Sequence, residues 1–165
     1  MFDSDNRINI MAICTGNICR SPMAEGILVR IFGNNPGIGV SSAGTHALNG
    51  NQASEFAVIA AYENGVDISG HRSRLLDAVS LRSSDLILCM EPVHIEWVLS
   101  MDITSYGKVY NLAEFSGGNR IKKIPDPYGS SLSEYRKCFS DIYTCIRNFV
   151  GTIPLLNSIN AENRQ

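Results

Sequence analysis

The stretch Cys14-Thr15-Gly16-Asn17-Ile18-Cys19-Arg20-Ser21-Pro22 places a thiol and a guanidinium six positions apart, ahead of a hydroxyl and a proline. Successive backbone N–H groups of so short a loop point inward, and a helix start at its end adds partial positive charge, so the loop cradles an anion. Thr15, Gly16, Asn17, Ile18 and Cys19 form that cradle, and Arg20 at its rim grips two oxygens of a phosphate in a fork. Cys14 lies in the same positive field, which favours thiolate over thiol. Ser21 is placed to donate its hydroxyl to that sulfur and to stabilise it as a leaving group. The chemistry this predicts is nucleophilic attack by sulfur on a bound phosphoryl group.

The pattern Cys-x5-Arg-Ser/Thr is specific. With 5 Cys, 10 Arg and 23 Ser plus Thr in 165 residues, about 0.04 chance matches are expected. The rival reading is a buried cysteine beside a surface arginine. A nucleotide-binding P-loop is excluded because no Gly-Lys-Ser/Thr follows the loop. A departing ester oxygen also needs a proton. Asp126, between Pro125 and Pro127, sits on a stiff segment that would present a carboxyl, and a plain surface turn reads equally well.

The elements around these residues point to an α/β fold. Strands are expected over 7–13, 39–43, 85–90 and 108–112, apolar enough to be buried on both faces. Ser21 reads as the N-cap of a helix with Pro22 at its first position, and Met23, Ala24, Ile27, Leu28 and Ile31 follow at helical spacing up to Gly33. A second helix runs over 56–64, ended by Gly65. The last helix opens on Ser131-x-x-Glu134 and carries Leu132, Tyr135, Phe139, Ile142, Ile146 and Phe149 on one face. Strand and helix alternate, which predicts one doubly wound domain over 1–165 with a four-stranded parallel sheet. The phosphate-binding loop falls between the first strand and the first helix, where ligands sit in such folds. Cys138, Cys145, Trp97, Val98 and Met101 read as packing residues. The ends 1–6 and 157–165 read as flexible.

Composition narrows the class. Lys plus Arg is 14 against 16 Asp plus Glu, a formal charge of -2, which disfavours a nucleic-acid partner. No apolar run is long enough for membrane insertion, and the polar start of the chain does not read as a secretory signal. Five cysteines, an odd count, read as thiols of a reducing cytoplasm. No metal is expected: His46, His71 and His94 show no ligand spacing relative to the cysteines. The chemistry calls for no cofactor.

The blocks 14–25, Ser42-Ala43-Gly44-Thr45, Asp85-Leu86-Ile87-Leu88-Cys89-Met90 and Asp126-Pro127-Tyr128 occur in the order seen in low-molecular-weight protein tyrosine phosphatases, which the chain resembles over residues 7–150. The loop from Gly44 to Gly50 looks most like the bacterial branch associated with capsule or exopolysaccharide synthesis. The resemblance implies Cys14 as nucleophile, Arg20 as phosphate and transition-state clamp, and Asp126 as general acid, then base. It also implies that Asn17, Ser21, Ser42 and His71 support the loop, where His71 alone would read as an exposed loop histidine. Leu48 and Tyr128 would wall the substrate pocket. Leu48 stands where animal members carry a large aromatic, and Gly129 where they carry a second tyrosine, so a protein-borne substrate with further contacts is expected. The implied partners are phosphotyrosine-bearing proteins and a cognate tyrosine kinase; the oligomeric state is not legible. Cys19, at the far end of the curled loop, is a candidate disulfide partner for an oxidised Cys14.

Three rival functions share parts of this pattern. A thioredoxin-coupled arsenate reductase needs two further cysteines after the third strand, where only Cys89 occurs. A protein arginine phosphatase shares the loop but typically carries threonine where this chain has Ile18. A catalytically silent phosphotyrosine-binding module would have lost Cys14, Arg20 or Asp126.

Overall fold

The computed structural model describes residues 7–33, 35–118 and 121–162. Four short strands, β1 (Ile8–Cys14), β2 (Ile38–Gly44), β3 (Leu86–Cys89) and β4 (Val109–Asn111), form one parallel sheet in the order β2-β1-β3-β4. β1 is central, with Cys14 in register with Gly44 on one side and Ile13 with Cys89 on the other. Because the chain leaves β1 first towards β2 and later towards β3, the sheet order reverses at β1. Its carboxyl end is therefore the switch point where doubly wound folds open a crevice.

Alternation along β1 explains the two layers. Ile10 and Ala12 face a large apolar layer, while Met11 and Ile13 face a smaller one. The large layer is closed by α1 (Arg20–Phe32), α2 (Glu55–Glu63), α5 (Leu132–Thr152) and α6 (Pro154–Glu162). On the other face lie α3 (Ala78–Ser83) and α4 (Pro92–Met101), which contribute Leu81 and Val98. α5 buries its expected stripe of Tyr135, Phe139, Ile142, Ile146 and Phe149, with Cys138 and Cys145 among them. Its entry is capped by Ser131, which accepts from the Glu134 N–H. No helix among the described residues is long and apolar enough to cross a membrane.

Three sequence expectations are corrected, and one helix has no counterpart among them. α1 begins at Arg20, one residue before the expected cap, and Ser21 lies inside its first turn with its hydroxyl turned to Cys14. The chain from Asn157 to Glu162 is helical rather than a frayed tail, because Leu156 and Ile159 of α6 are buried against the core. Residues 1–6 and 163–165 lie outside the described residues. Trp97 and Met101 are exposed on α4, and only Val98 of that trio packs inside, because just one face of this short helix meets the sheet. α3 had no apolar periodicity to announce it; an Asp77 carboxylate accepting from the Ser80 N–H starts it.

Candidate active site

The loop after β1 winds tightly around the Cys14 sulfur. Asn17 N–H points to that sulfur at 3.3 Å, and the Ser21 hydroxyl lies 3.0 Å from it. Asn17 carries the left-handed turn that curls the loop, with φ of 53°, the one non-glycine residue in that region among the described residues. Asparagine tolerates this conformation better than most side chains.

A buried network holds it there. The Asn17 amide donates to Ser21 Oγ (2.8 Å) and Ser42 Oγ (2.9 Å), and its Oδ1 accepts from the Arg74 N–H at 2.9 Å. With a lone pair given to Asn17, Ser21 keeps its own proton for Cys14. Ser42 likewise donates its hydroxyl hydrogen bond to the Glu25 carboxylate. His71 Nε2 donates to the Asn17 carbonyl at 2.8 Å, and its Nδ1 lies 3.8 Å from Glu25. The structure thus gathers Asn17, Ser21, Ser42 and His71 around one turn. Close approach of β2 requires Gly44, since a Cβ there would sit 2.5 Å from the Thr15 carbonyl oxygen.

Arg20 is 1% exposed yet polar at its tip, which is unusual enough to demand partners. Nη1 donates to Glu91 and to the Ile124 carbonyl (3.0 Å), and Nη2 donates to Asp126 Oδ2 at 2.8 Å. Burial alone would lower its pKa, but the Glu91 hydrogen bond and the Asp126 charge outweigh it, so the net shift is upward. Its Nε is buried and finds no hydrogen-bond partner among the described residues. Glu91 in turn meets Lys123 Nζ at 3.1 Å. Burial raises the Glu91 carboxyl, and the hydrogen bonds from Arg20 and Lys123 more than reverse that, leaving it lowered.

These groups converge on one cavity of about 190 Å³, with Cys14, Cys19 and Arg20 deep in it and Thr15, Ile18, Asp126 and Tyr128 around it. Tyr128 is largely exposed at the mouth. Leu48 departs from expectation: it is 73% exposed and does not line this cavity, where Ile18 supplies the apolar wall. Cys19 is buried, with Ser54 Oγ at 3.2 Å and Tyr135 OH at 3.4 Å from its sulfur, and desolvation raises its pKa. Tyr135 is itself pushed up to about 12, chiefly by burial.

Sequence reasoning missed Glu91, Glu25, Arg74, Ser54 and Tyr135. Only Glu91 carried a usable signal, since it directly follows the third strand at the carboxyl edge of the sheet. The arrangement can hold a phosphoryl dianion on backbone N–H groups and Arg20, with a sulfur beneath it and a carboxyl beside it.

Comparison with known proteins agrees with that geometry. Residues 9–164 match the model of the low molecular weight phosphotyrosine protein phosphatase family. The chain is 39% identical over 154 residues to the low molecular weight protein-tyrosine-phosphatase Wzb of Escherichia coli (strain K12), covering 93% of this chain and 97% of Wzb. Among solved structures, the tyrosine phosphatase AmsI of Erwinia amylovora superposes with a TM-score of 0.80 at 32% identity, covering 88% of this chain and 93% of that one. The arginine phosphatase YwlE of Geobacillus stearothermophilus gives 0.79 at 30% identity, with 94% of each chain covered. With nearly the whole sheet and the thiol loop inside the matched region, the chain belongs to the low-molecular-weight phosphotyrosine protein phosphatase family.

Proposed function

We propose that this chain is a cytoplasmic protein-tyrosine phosphatase that works through a cysteinyl-phosphate intermediate. The observation that carries the reading is the convergence of the Cys14 sulfur, Arg20 and Asp126 on one small cavity. An arriving phosphoryl dianion takes the Arg20 Nε and Nη2, the ion pair to Asp126 gives way, and the released Asp126 carboxylate picks up a proton from solvent. The Cys14 thiolate then bonds to phosphorus as the ester bond breaks, and Asp126 protonates the departing phenol oxygen. In the second half Asp126 takes a proton from water, which attacks phosphorus. Phosphate leaves, and the thiolate returns with the Ser21 hydroxyl supporting it. Positive charge comes throughout from Arg20, the loop N–H groups and the start of α1.

A flat phenol suits the walls, since Ile18 and the exposed Tyr128 ring offer apolar faces. The kinship with Wzb and AmsI, both named as tyrosine phosphatases, supports tyrosine as the residue served. The resemblance of the loop from Gly44 to Gly50 to the capsule- or exopolysaccharide-associated bacterial branch supports a role opposing a tyrosine kinase in exopolysaccharide regulation. The likeness to YwlE keeps phosphoarginine as the second reading. The test is hydrolysis of matched phosphotyrosine and phosphoarginine peptides in EDTA, with vanadate as inhibitor and Cys14→Ser as control. Faster turnover of the phosphotyrosine peptide, lost in Cys14→Ser, is expected. Preference for phosphoarginine would reassign the substrate, and loss of activity on chelation would reject the mechanism.

A further inference from the structure

His94 lies in the first turn of α4 and is 1% exposed, away from the thiol loop in sequence but not in space. Its Nδ1 accepts the Glu91 backbone N–H at 3.2 Å. A ring nitrogen that accepts carries no proton, so the one proton of the neutral imidazole is on Nε2. Burial, helped by the Arg20 charge, holds the ring neutral, with a pKa lowered to about 4. Nε2 stands 2.9 Å from Thr15 Oγ1, and the proton placement makes the histidine the donor there.

The consequence falls on Thr15, the residue after the nucleophile and part of the cavity wall. Its backbone is fixed, since its carbonyl accepts the His46 N–H at 2.9 Å. With one lone pair taken by His94, its own hydroxyl proton finds no acceptor among the described residues. A phosphoryl dianion offers only acceptors. A hydroxyl that gave its proton to His94 would turn lone pairs towards that anion; one that accepts from His94 turns a donor.

We propose that the Thr15 hydroxyl, in addition to the loop backbone, donates a hydrogen bond to the bound phosphoryl group, and that His94 is the positioning residue that fixes this hydroxyl as a donor into the cavity. The proposal rests on the reading that the phosphoryl group sits over Cys14. One helical turn then serves both sides of the anion, Glu91 holding Arg20 and His94 holding Thr15.

The test is binding of inorganic phosphate and of vanadate to the full chain, followed by calorimetry and by inhibition. Thr15→Val should weaken both by about 10-fold, the range for a hydrogen bond to a charged group, while Thr15→Ser keeps wild-type binding. His94→Phe, which keeps a ring but no donor, should weaken phosphate several-fold in the wild-type background. In the Thr15→Val background it should have no further effect. Thr15 is exposed, so Thr15→Val should leave the fold intact; melting curves of every variant check this. Wild-type phosphate binding that vanishes in Arg20→Ala keeps the site reading in place whatever Thr15 does. Given that, Thr15→Val binding phosphate within twofold of wild type overturns the proposal. Equal losses from His94→Phe in both backgrounds would overturn the role given to His94.

Discussion

Replacing Asn17 with alanine removes three side-chain hydrogen bonds at once: two donated to Ser21 and Ser42, and one accepted from the Arg74 N–H. The residue is fully buried, so water does not replace them. At about 1 kcal/mol each, the loss is about 3 kcal/mol. Alanine at a φ of 53° adds the left-handed penalty, about 1 kcal/mol. The total, about 4 kcal/mol, is a large share of the stability of an ordinary domain. Asn17→Gly loses the same bonds without the penalty and should be the milder variant, even after its greater unfolded-chain entropy. Urea unfolding with linear extrapolation gives both numbers. Aryl phosphate turnover measured well below the midpoint isolates the loop itself, where misplacement of the cradle should cost on the order of 10²-fold. If Asn17→Ala unfolds within about 1 kcal/mol of wild type, or proves more stable than Asn17→Gly, the network does not hold the turn.

Three further outcomes are expected. Asp126→Asn should slow hydrolysis by roughly 10² to 10⁴ for poor leaving groups and much less for good ones; equal loss across a leaving-group series would make Asp126 structural. Mild peroxide should inactivate the enzyme reversibly, the Cys14 sulfenic acid condensing with the Cys19 thiol to a disulfide and water, and Cys19→Ser should oxidise beyond rescue. Peptide mapping that pairs Cys14 with any other cysteine would refute this. His94, whose pKa falls to about 4 on folding from about 6.5 unfolded, is neutral in both states above pH 6.5 and adds no pH dependence there. As pH falls from about 6.5 towards 4, the unfolded state binds the proton first, so about 3 kcal/mol of stability is lost. His94→Gln should flatten that limb of a stability–pH curve, and an unchanged limb would place the titration elsewhere.

The parts legible in the sequence were those with short-range signatures. The thiol loop reads from six consecutive spacings, and β1 to β4 from apolar runs, each placed within about two residues. α5 reads from its apolar stripe because its whole length packs on the core. The support network was half legible: Asn17 and Ser21 belong to the loop, whereas Ser42 and His71 needed the family pattern to be connected. Glu25, Arg74 and Tyr135 reach the site across 17 to 116 residues of chain separation, and no periodicity announces such contacts. Trp97 and Met101 misled because an apolar side chain on a short helix says nothing of which face meets the sheet. Leu48 misled for a related reason, since a loop position inherited by analogy does not fix where its side chain points.

The salt link between Arg20 and Asp126 means the resting enzyme already carries a stand-in for its own product. Any incoming anion must outcompete a tethered carboxylate whose effective concentration no dilution can lower. Weak monoanions therefore gain little by entering, while a dianion that also satisfies Nε gains a contact the carboxylate does not make. When free phosphate is ready to leave, Asp126 gives the proton it took from water back to solvent and its carboxylate refills the guanidinium, which should speed departure and keep product inhibition shallow. A side chain that donates and recovers a proton in each cycle would then also serve as the spring that empties the cup.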